Sequence, residues 1–176
     1  MLRNGRRPLS TIAAIAALTC MANAGPARAD VLPIDKLQNV ATGYCLDSGG
    51  DTTHQKVPAS LYRDCVDSLN LEWTYDPKSR QIRNVATGYC LDSGGDTTQQ
   101  KVPASLYYNC GDPSPNLQWT YDAKSRQIRN VATGYCLDSG GSTTQQKVPA
   151  SLYFDCGDPS PNLQWTPYLD GAYPPG

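Results

Sequence analysis

Seven cysteines, one histidine and one glutamate are the residues of this 176-residue chain best suited to metal or covalent chemistry, and their spacing decides between the two. Cys45, Cys65, Cys90, Cys110, Cys136 and Cys156 fall into three pairs, each 20 residues apart. Zinc sites draw on close cysteine and histidine ligands. The chain has no Cys-x-x-Cys and its only histidine is His54, so no metal site is expected. Many disulfide pairings are possible in principle. The regular spacing favours the local set, Cys45 with Cys65, Cys90 with Cys110 and Cys136 with Cys156. Hydrolytic chemistry is equally poorly supplied. A glycosidase usually needs two carboxylates in different environments, and a nucleophilic triad needs an oriented histidine. Glu72 corresponds to Gln118 and Gln164, and His54 corresponds to Gln99 and Gln145. These residues point away from an enzyme and require no cofactor, and His54 reads as a solvated loop residue.

Those correspondences come from an internal repeat. The stretch Asn39-Val-Ala-Thr-Gly-Tyr-Cys-Leu-Asp-Ser-Gly-Gly50 recurs unchanged at 84–95 and 130–141. Each copy continues through Val-Pro-Ala-Ser-Leu-Tyr and a second cysteine to Asn-Leu-(Glu/Gln)-Trp-Thr. The cysteine-to-cysteine period is 45 residues, then 46. Between 82–120 and 128–166 only three of 39 positions differ: Asp96/Ser142, Tyr108/Phe154 and Asn109/Asp155. Periods of this size belong to stacked or radially arranged units that bury a shared core. The copies run over 37–81, 82–127 and 128–169.

Within copy two, Gln81-Ile-Arg-Asn-Val85 and Tyr89-Cys-Leu-Asp92 alternate apolar and polar residues around Ala86-Thr-Gly88, which predicts a hairpin. A polar loop to Lys101 precedes a third strand, Ala104–Tyr108. The turn residues Asp112-Pro-Ser-Pro115 precede a fourth, Leu117–Tyr121. Four strands per copy give an all-β fold of about twelve short strands, whose edges call for closure. Ile82, Val85, Leu91, Leu106 and Trp119, with their counterparts, are the expected inward positions. The three tryptophans, Trp73, Trp119 and Trp165, read as core.

Residues 1–29 differ from the rest. Arg3, Arg6 and Arg7 precede an apolar run from Ile12 to Leu18, and Ala27-Arg-Ala29 offers a cleavage point, the pattern of a signal peptide. The run is too short for a membrane span. Removing the leader leaves 147 residues (30–176), the size of one domain. Of the charged residues, eleven basic and sixteen acidic ones remain, a formal charge of −5. Nothing in that balance predicts nucleic-acid binding. Export to an oxidising, extracellular location suits disulfides.

The combination of Tyr-Cys-Leu-Asp-Ser-Gly-Gly, Leu-Tyr followed by cysteine, and Asn-Leu-Gln-Trp-Thr, three times in register over Leu37 to Trp165, resembles the ricin B-type lectins. These are β-trefoils of three pseudo-symmetric four-stranded repeats. The resemblance implies carbohydrate binding in a shallow pocket on each repeat, with glycans or polysaccharide as partners and galactose-type or related sugars as ligands. By motif position the matching residues are Asp47, Tyr62 and Asn70; Asp92, Tyr107 and Asn116; and Asp138, Tyr153 and Asn162. The chemistry suits such a ligand. A carboxylate accepts hydrogen bonds from neighbouring hydroxyls, a ring covers the C–H face of a pyranose, and an amide adds a donor and an acceptor.

The chain departs from the family pattern in two places. Leu71, Leu117 and Leu163 stand where the family has the glutamine of Gln-x-Trp. Ser60, Ser105 and Ser151 stand where a glutamine often touches sugar. Structural roles compete for every member of the trio. The aspartates could cap turns, the tyrosines could be half-buried strand residues, and the asparagines could tie down loops. A β-trefoil acting on proteins, such as a protease inhibitor or a toxin-like delivery subunit, is the alternative function. Its contact edge would be Arg63-Asp64 and Val66-Asp-Ser-Leu69, where copy one differs most from its mates. A trefoil with decayed pockets is a third reading.

Overall fold

A computed structural model describes residues 32–168; the leader 1–29 lies outside them. After a first strand β1 (Leu32–Ile34), copy one supplies β2 (Lys36–Asn39), β3 (Cys45–Asp47), β4 (Lys56–Pro58), β5 (Ser60–Tyr62) and β6 (Trp73–Asp76). Copy two follows with β7 (Gln81–Asn84), β8 (Cys90–Asp92), β9 (Lys101–Pro103), β10 (Ser105–Tyr107) and β11 (Trp119–Asp122). Copy three adds β12 (Gln127–Asn130), β13 (Cys136–Asp138), β14 (Lys147–Pro149), β15 (Ser151–Tyr153) and β16 (Trp165–Tyr168). All pairings between these strands are antiparallel.

The four-strand plan holds with one refinement: the third strand of each copy starts earlier than expected and is divided by an alanine. Lys101–Pro103, where the expected polar loop ends and ahead of the strand expected from Ala104, is paired strand, with Val102 buried between two exposed neighbours. The division has a physical reason at Ala59, Ala104 and Ala150. Ala59 N–H donates to the Ala104 carbonyl (3.0 Å), Ala104 to Ala150 (3.1 Å) and Ala150 back to Ala59 (3.0 Å). This closed ring of three bonds joins all three copies where a larger side chain would not fit, and the alanines are 0–1% exposed. Before the alanine each copy's strand pairs with the next copy, and after it with its own copy and the preceding one.

Copies are also joined end to end. β6 pairs with β7, β11 with β12, and β16 returns to β2, so the sheet system closes. Backbone bonds from Trp119 N to Arg80 O and from Trp165 N to Arg126 O, both 2.8 Å, link the remaining neighbours. The result is a β-trefoil whose three copies are joined to one another by strand pairing.

The core contains Leu46, Leu91 and Leu137, Leu61, Leu106 and Leu152, and the three tryptophans, all at most 1% exposed. Each indole N–H donates to a buried carbonyl: Trp73 to Leu46, Trp119 to Leu91 and Trp165 to Leu137. Trp119→Ala is expected to cost about 3–5 kcal/mol, since it opens a cavity and strands the Leu91 carbonyl. Trp119→Phe should cost less. Urea denaturation of the two variants checks the order.

Val85 corrects one expected core position: it is 43% exposed, as Val40 (38%) and Val131 (40%) are at the equivalent places. Ile82 and Val85 are three residues apart, so a strand, which alternates faces, cannot point both inward. The inward place beside Ile82 belongs to Asn84, which is 1% exposed. Its amide donates to the carbonyls of Leu69, Asn70 and Glu72, and its Oδ1 accepts from the Thr87 amide and hydroxyl. Asn39 and Asn130 do the same work in their copies.

The disulfides are the local set, Cys45–Cys65, Cys90–Cys110 and Cys136–Cys156. Leu117 packs with Cys90, Cys110 and Tyr107, and Leu163 with Cys136, Cys156 and Tyr153. The leucine that replaces the family's glutamine thus builds a small apolar cluster on the bridge. Among the described residues no helix is long and apolar enough to cross a membrane.

Candidate functional site

Three hollows, one per copy, lie on the surface. The first is lined by Asp47, Gly49, Tyr62, Val66, Ser68, Asn70, Leu71 and Lys147. The second has Asp92, Gly94, Tyr107, Asn116 and Lys56, and the third Asp138, Gly140, Tyr153, Asn162 and Lys101. The structure therefore brings together all nine residues singled out from the sequence, three to a hollow, and adds to each a lysine from a neighbouring copy.

The aspartate ends a strand and enters the Ser-Gly-Gly turn. In copy two Asp92 Oδ1 accepts from the Gly94 amide at 2.8 Å, so the turn-capping role is real. The other oxygen faces the hollow, where the Lys56 ammonium meets it at 2.6 Å. Capping the turn and facing the hollow are thus carried by different oxygens of one carboxylate. Lys101 meets Asp138 at 2.6 Å and Lys147 meets Asp47 at 2.7 Å in the same way. The aspartates are 6–7% exposed and the lysines 48–49%, so each pair is wet on one side. Ser105 Oγ donates to the Asp92 backbone carbonyl and to Oδ2, both at 3.3 Å. It braces the carboxylate from within the protein and does not reach into the hollow. Ser60 and Ser151 repeat this.

Each lysine is delivered by strand register and by a tyrosine. Lys56 lies opposite Tyr107 in the β4–β10 ladder, Lys101 opposite Tyr153, and Lys147 opposite Tyr62. The loop leading to it is held by the tyrosine beside the first cysteine of the next copy. Tyr89 donates its hydroxyl to the carbonyls of Thr52 and His54 (3.1 and 2.9 Å), Tyr135 to those of Thr97 and Gln99, and Tyr44 to those of Thr143 and Gln145. Within one copy's sequence the lysine looks like a loop residue. Only the pairing between copies brings it to the aspartate.

Tyr62, Tyr107 and Tyr153 are half-buried and flank the hollows, so the strand role and the lining role coincide. The asparagines resolve differently. Loop tying is done by the backbone carbonyl of Asn116, which accepts from Ser93 N (3.2 Å) and Asn130 Nδ2 (2.8 Å). Among the described residues its side-chain amide has no hydrogen-bond partner, and it lies against Gly95. A Cβ on Gly95 would come within 3.0 Å of that amide, and its φ of 77° already favours glycine. The second glycine of the motif therefore makes room for the amide.

His54 is 72% exposed and pairs with Asp51 at 2.9 Å, a surface contact outside the hollows. The hydrogen bonds of the Thr53 hydroxyl and amide, with a smaller contribution from His54, hold the Asp51 carboxyl down at about 2. Among the described residues no cluster of side chains could hold a metal ion.

The sequence profile of the ricin-type β-trefoil lectin domain matches residues 34–165. Among curated proteins none matches the chain significantly. Among solved structures, the designed threefold-symmetric protein ThreeFoil is similar at a TM-score of 0.63 and 21% identity, over 76% of this chain and 95% of that one. The C-terminal half of an earthworm R-type lectin, solved with GalNAc, matches at 0.60 and 14% identity, over 79% of this chain and 99% of that one. The hemolytic lectin CEL-III matches at 0.60 and 21% identity over 78% of this chain, which spans only 30% of that protein. With the profile covering most of its length and its three hollows in register, the chain belongs to the ricin-type β-trefoil lectin family.

Proposed function

We propose that the protein is a secreted carbohydrate-binding protein with up to three shallow sugar sites, one per repeat, favouring galactose-type or related sugars presented multivalently. The observation that carries this reading is the recurrence in each copy of a carboxylate, a tyrosine ring and an asparagine amide around one hollow. Two structural neighbours were solved with ligands of this class, GalNAc and α-methyl-D-galactoside. A single open site of this kind gives an affinity in the millimolar range, about −4 kcal/mol. Three on one rigid body gain by avidity on a polymeric or clustered glycan. The basic and apolar leader supports secretion, and the disulfides suit the oxidising compartment it leads to.

A glycan array probed with the oxidised protein tests the reading. Binding to several clustered galactose-type glycans is the expected result, and a blank array would overturn it. The protein-binding alternative draws on one observation: Val66 and Leu69, on the loop peculiar to copy one, are 53% and 56% exposed. A blank array together with capture of a protease would bring it forward.

A further inference from the structure

The three hollows are alike in sequence motif and unlike in charge and size. The copy-one hollow has a volume of about 290 Å³, against about 160 and 140 Å³ for copies two and three. Copies two and three are lined by a second carboxylate, Asp112 and Asp158, beside the aspartate–lysine pair. In copy one the loop after the second cysteine is one residue shorter, and Val66 and Ser68 line that side. Asp67 is engaged by Lys36 at 3.2 Å and does not line the hollow. The lining of copy one thus carries one negative and one positive group, whereas its mates carry a net negative charge.

The inner aspartate and lysine are engaged alike in all three hollows, so the second carboxylate of copies two and three and the tyrosine edge of copy one make the difference. A carboxylate offers about four acceptor positions. Three at Asp47 are taken, by the Gly49 amide, by Ser60 Oγ and by Lys147. The Lys147 ammonium spends one of its donors on Asp47. The Tyr62 hydroxyl accepts from Gln146 Nε2 at 2.8 Å, which leaves its own proton to donate. The same Gln146 nitrogen donates to Asp64 at 3.1 Å, and Asp64 sits 4.0 Å from Arg63, so this outer carboxylate has partners of its own. The Asn70 amide, which has no hydrogen-bond partner among the described residues, adds a donor to the lining. A hollow with spare donors and few spare acceptors fits a ligand rich in acceptors.

Resting on the lectin reading above, we propose that the copy-one hollow takes a hexuronate residue of an acidic polysaccharide, its carboxylate bound by Lys147, while Asp112 and Asp158 restrict copies two and three to neutral sugars. The uronate carboxylate accepts from the ammonium and from the Tyr62 hydroxyl, and the sugar ring lies along the tyrosine. In copies two and three the same carboxylate would face a second negative group across a smaller hollow.

The test is an amide chemical-shift titration of the isotope-labelled protein with methyl galacturonide and, separately, methyl galactoside. Gly49, Gly94 and Gly140 report the three hollows. The galacturonide is expected to perturb Gly49 at a concentration about tenfold lower than the galactoside does, the scale of one hydrogen bond to a charged group, and to leave Gly94 and Gly140 unmoved. Lys147→Met should abolish the galacturonide preference at Gly49 and leave galactoside binding at the other two hollows intact. Asp112→Asn, which keeps the acceptor for the Ser114 amide, should admit galacturonide at Gly94 without touching copy one. Equal affinity for the two sugars at Gly49 would overturn this inference and leave the lectin reading standing. No response to either sugar at any hollow would overturn both.

Discussion

Reduction of the three disulfides should unfold the protein at room temperature, the largest single effect expected of any change to it. Each bridge closes its own loop of 20 residues, and none of the loops overlaps another. In the chain-entropy account a loop of this length contributes about 3 kcal/mol by restricting the unfolded chain. Three independent loops together approach the whole stability of an ordinary domain, about 5–15 kcal/mol. The strands, three or four residues long, cannot make up the loss through local pairing. Far-ultraviolet circular dichroism and amide dispersion before and after excess thiol check this. A reduced protein that kept a cooperative transition near the oxidised midpoint would show that the core of leucines and tryptophans suffices alone. Removing one bridge at a time should give graded losses, because the copies are separately closed.

Replacing Asp47, Asp92 and Asp138 together by alanine is expected to lower the apparent affinity for a multivalent galactose-type glycan by about 100-fold or more, the gain that avidity over linked sites supplies. The change removes the acceptor that faces each hollow and releases Lys147, Lys56 and Lys101 from their fixed positions. It also takes the turn cap from Gly49, Gly94 and Gly140. A parallel triple substitution by asparagine separates the two consequences, because the amide oxygen still accepts from the glycine N–H while the charge is gone. Both triple variants should lose binding, with the asparagine form closer to the parent in melting temperature. Undiminished binding by a folded triple variant would mean that sugar is held elsewhere. Asp92 and Asp138 changed without Asp47 should leave a protein with one functional hollow, which binds but no longer cross-links.

Alternation in Gln81–Asn84 and Cys90–Asp92, with Ala-Thr-Gly between them, was enough to place the hairpin, because strand periodicity and turn chemistry are local. Disulfide pairing followed from threefold spacing. Val85 is apolar, but parity with Ile82 turns it outward, and Asn84, a polar residue with five hydrogen bonds in its favour, holds the inward place. Likewise Lys101-Val-Pro103 looked like loop. A proline between Val102 and Ala104 carries little strand propensity, and the partner of this segment, β15, belongs to the next copy.

By itself, the sequence determined that one unit recurs three times nearly unchanged and that each unit has the spacing for its own bridge, while the three side chains placed at each hollow came from the resemblance of its motifs to the ricin B-type lectins. These are properties of one copy, set by contacts between residues near in the chain. Tertiary structure alone decided that every hollow is shared between two copies. The ring through Ala59, Ala104 and Ala150 and the tyrosine-held loops bring a lysine from the copy before, or across the closure from copy three to copy one, onto each aspartate. Identical repeats cannot announce that exchange, since a lysine at the same place in every copy reads the same whether it serves its own aspartate or its neighbour's. The direction of the closure around the axis makes the choice.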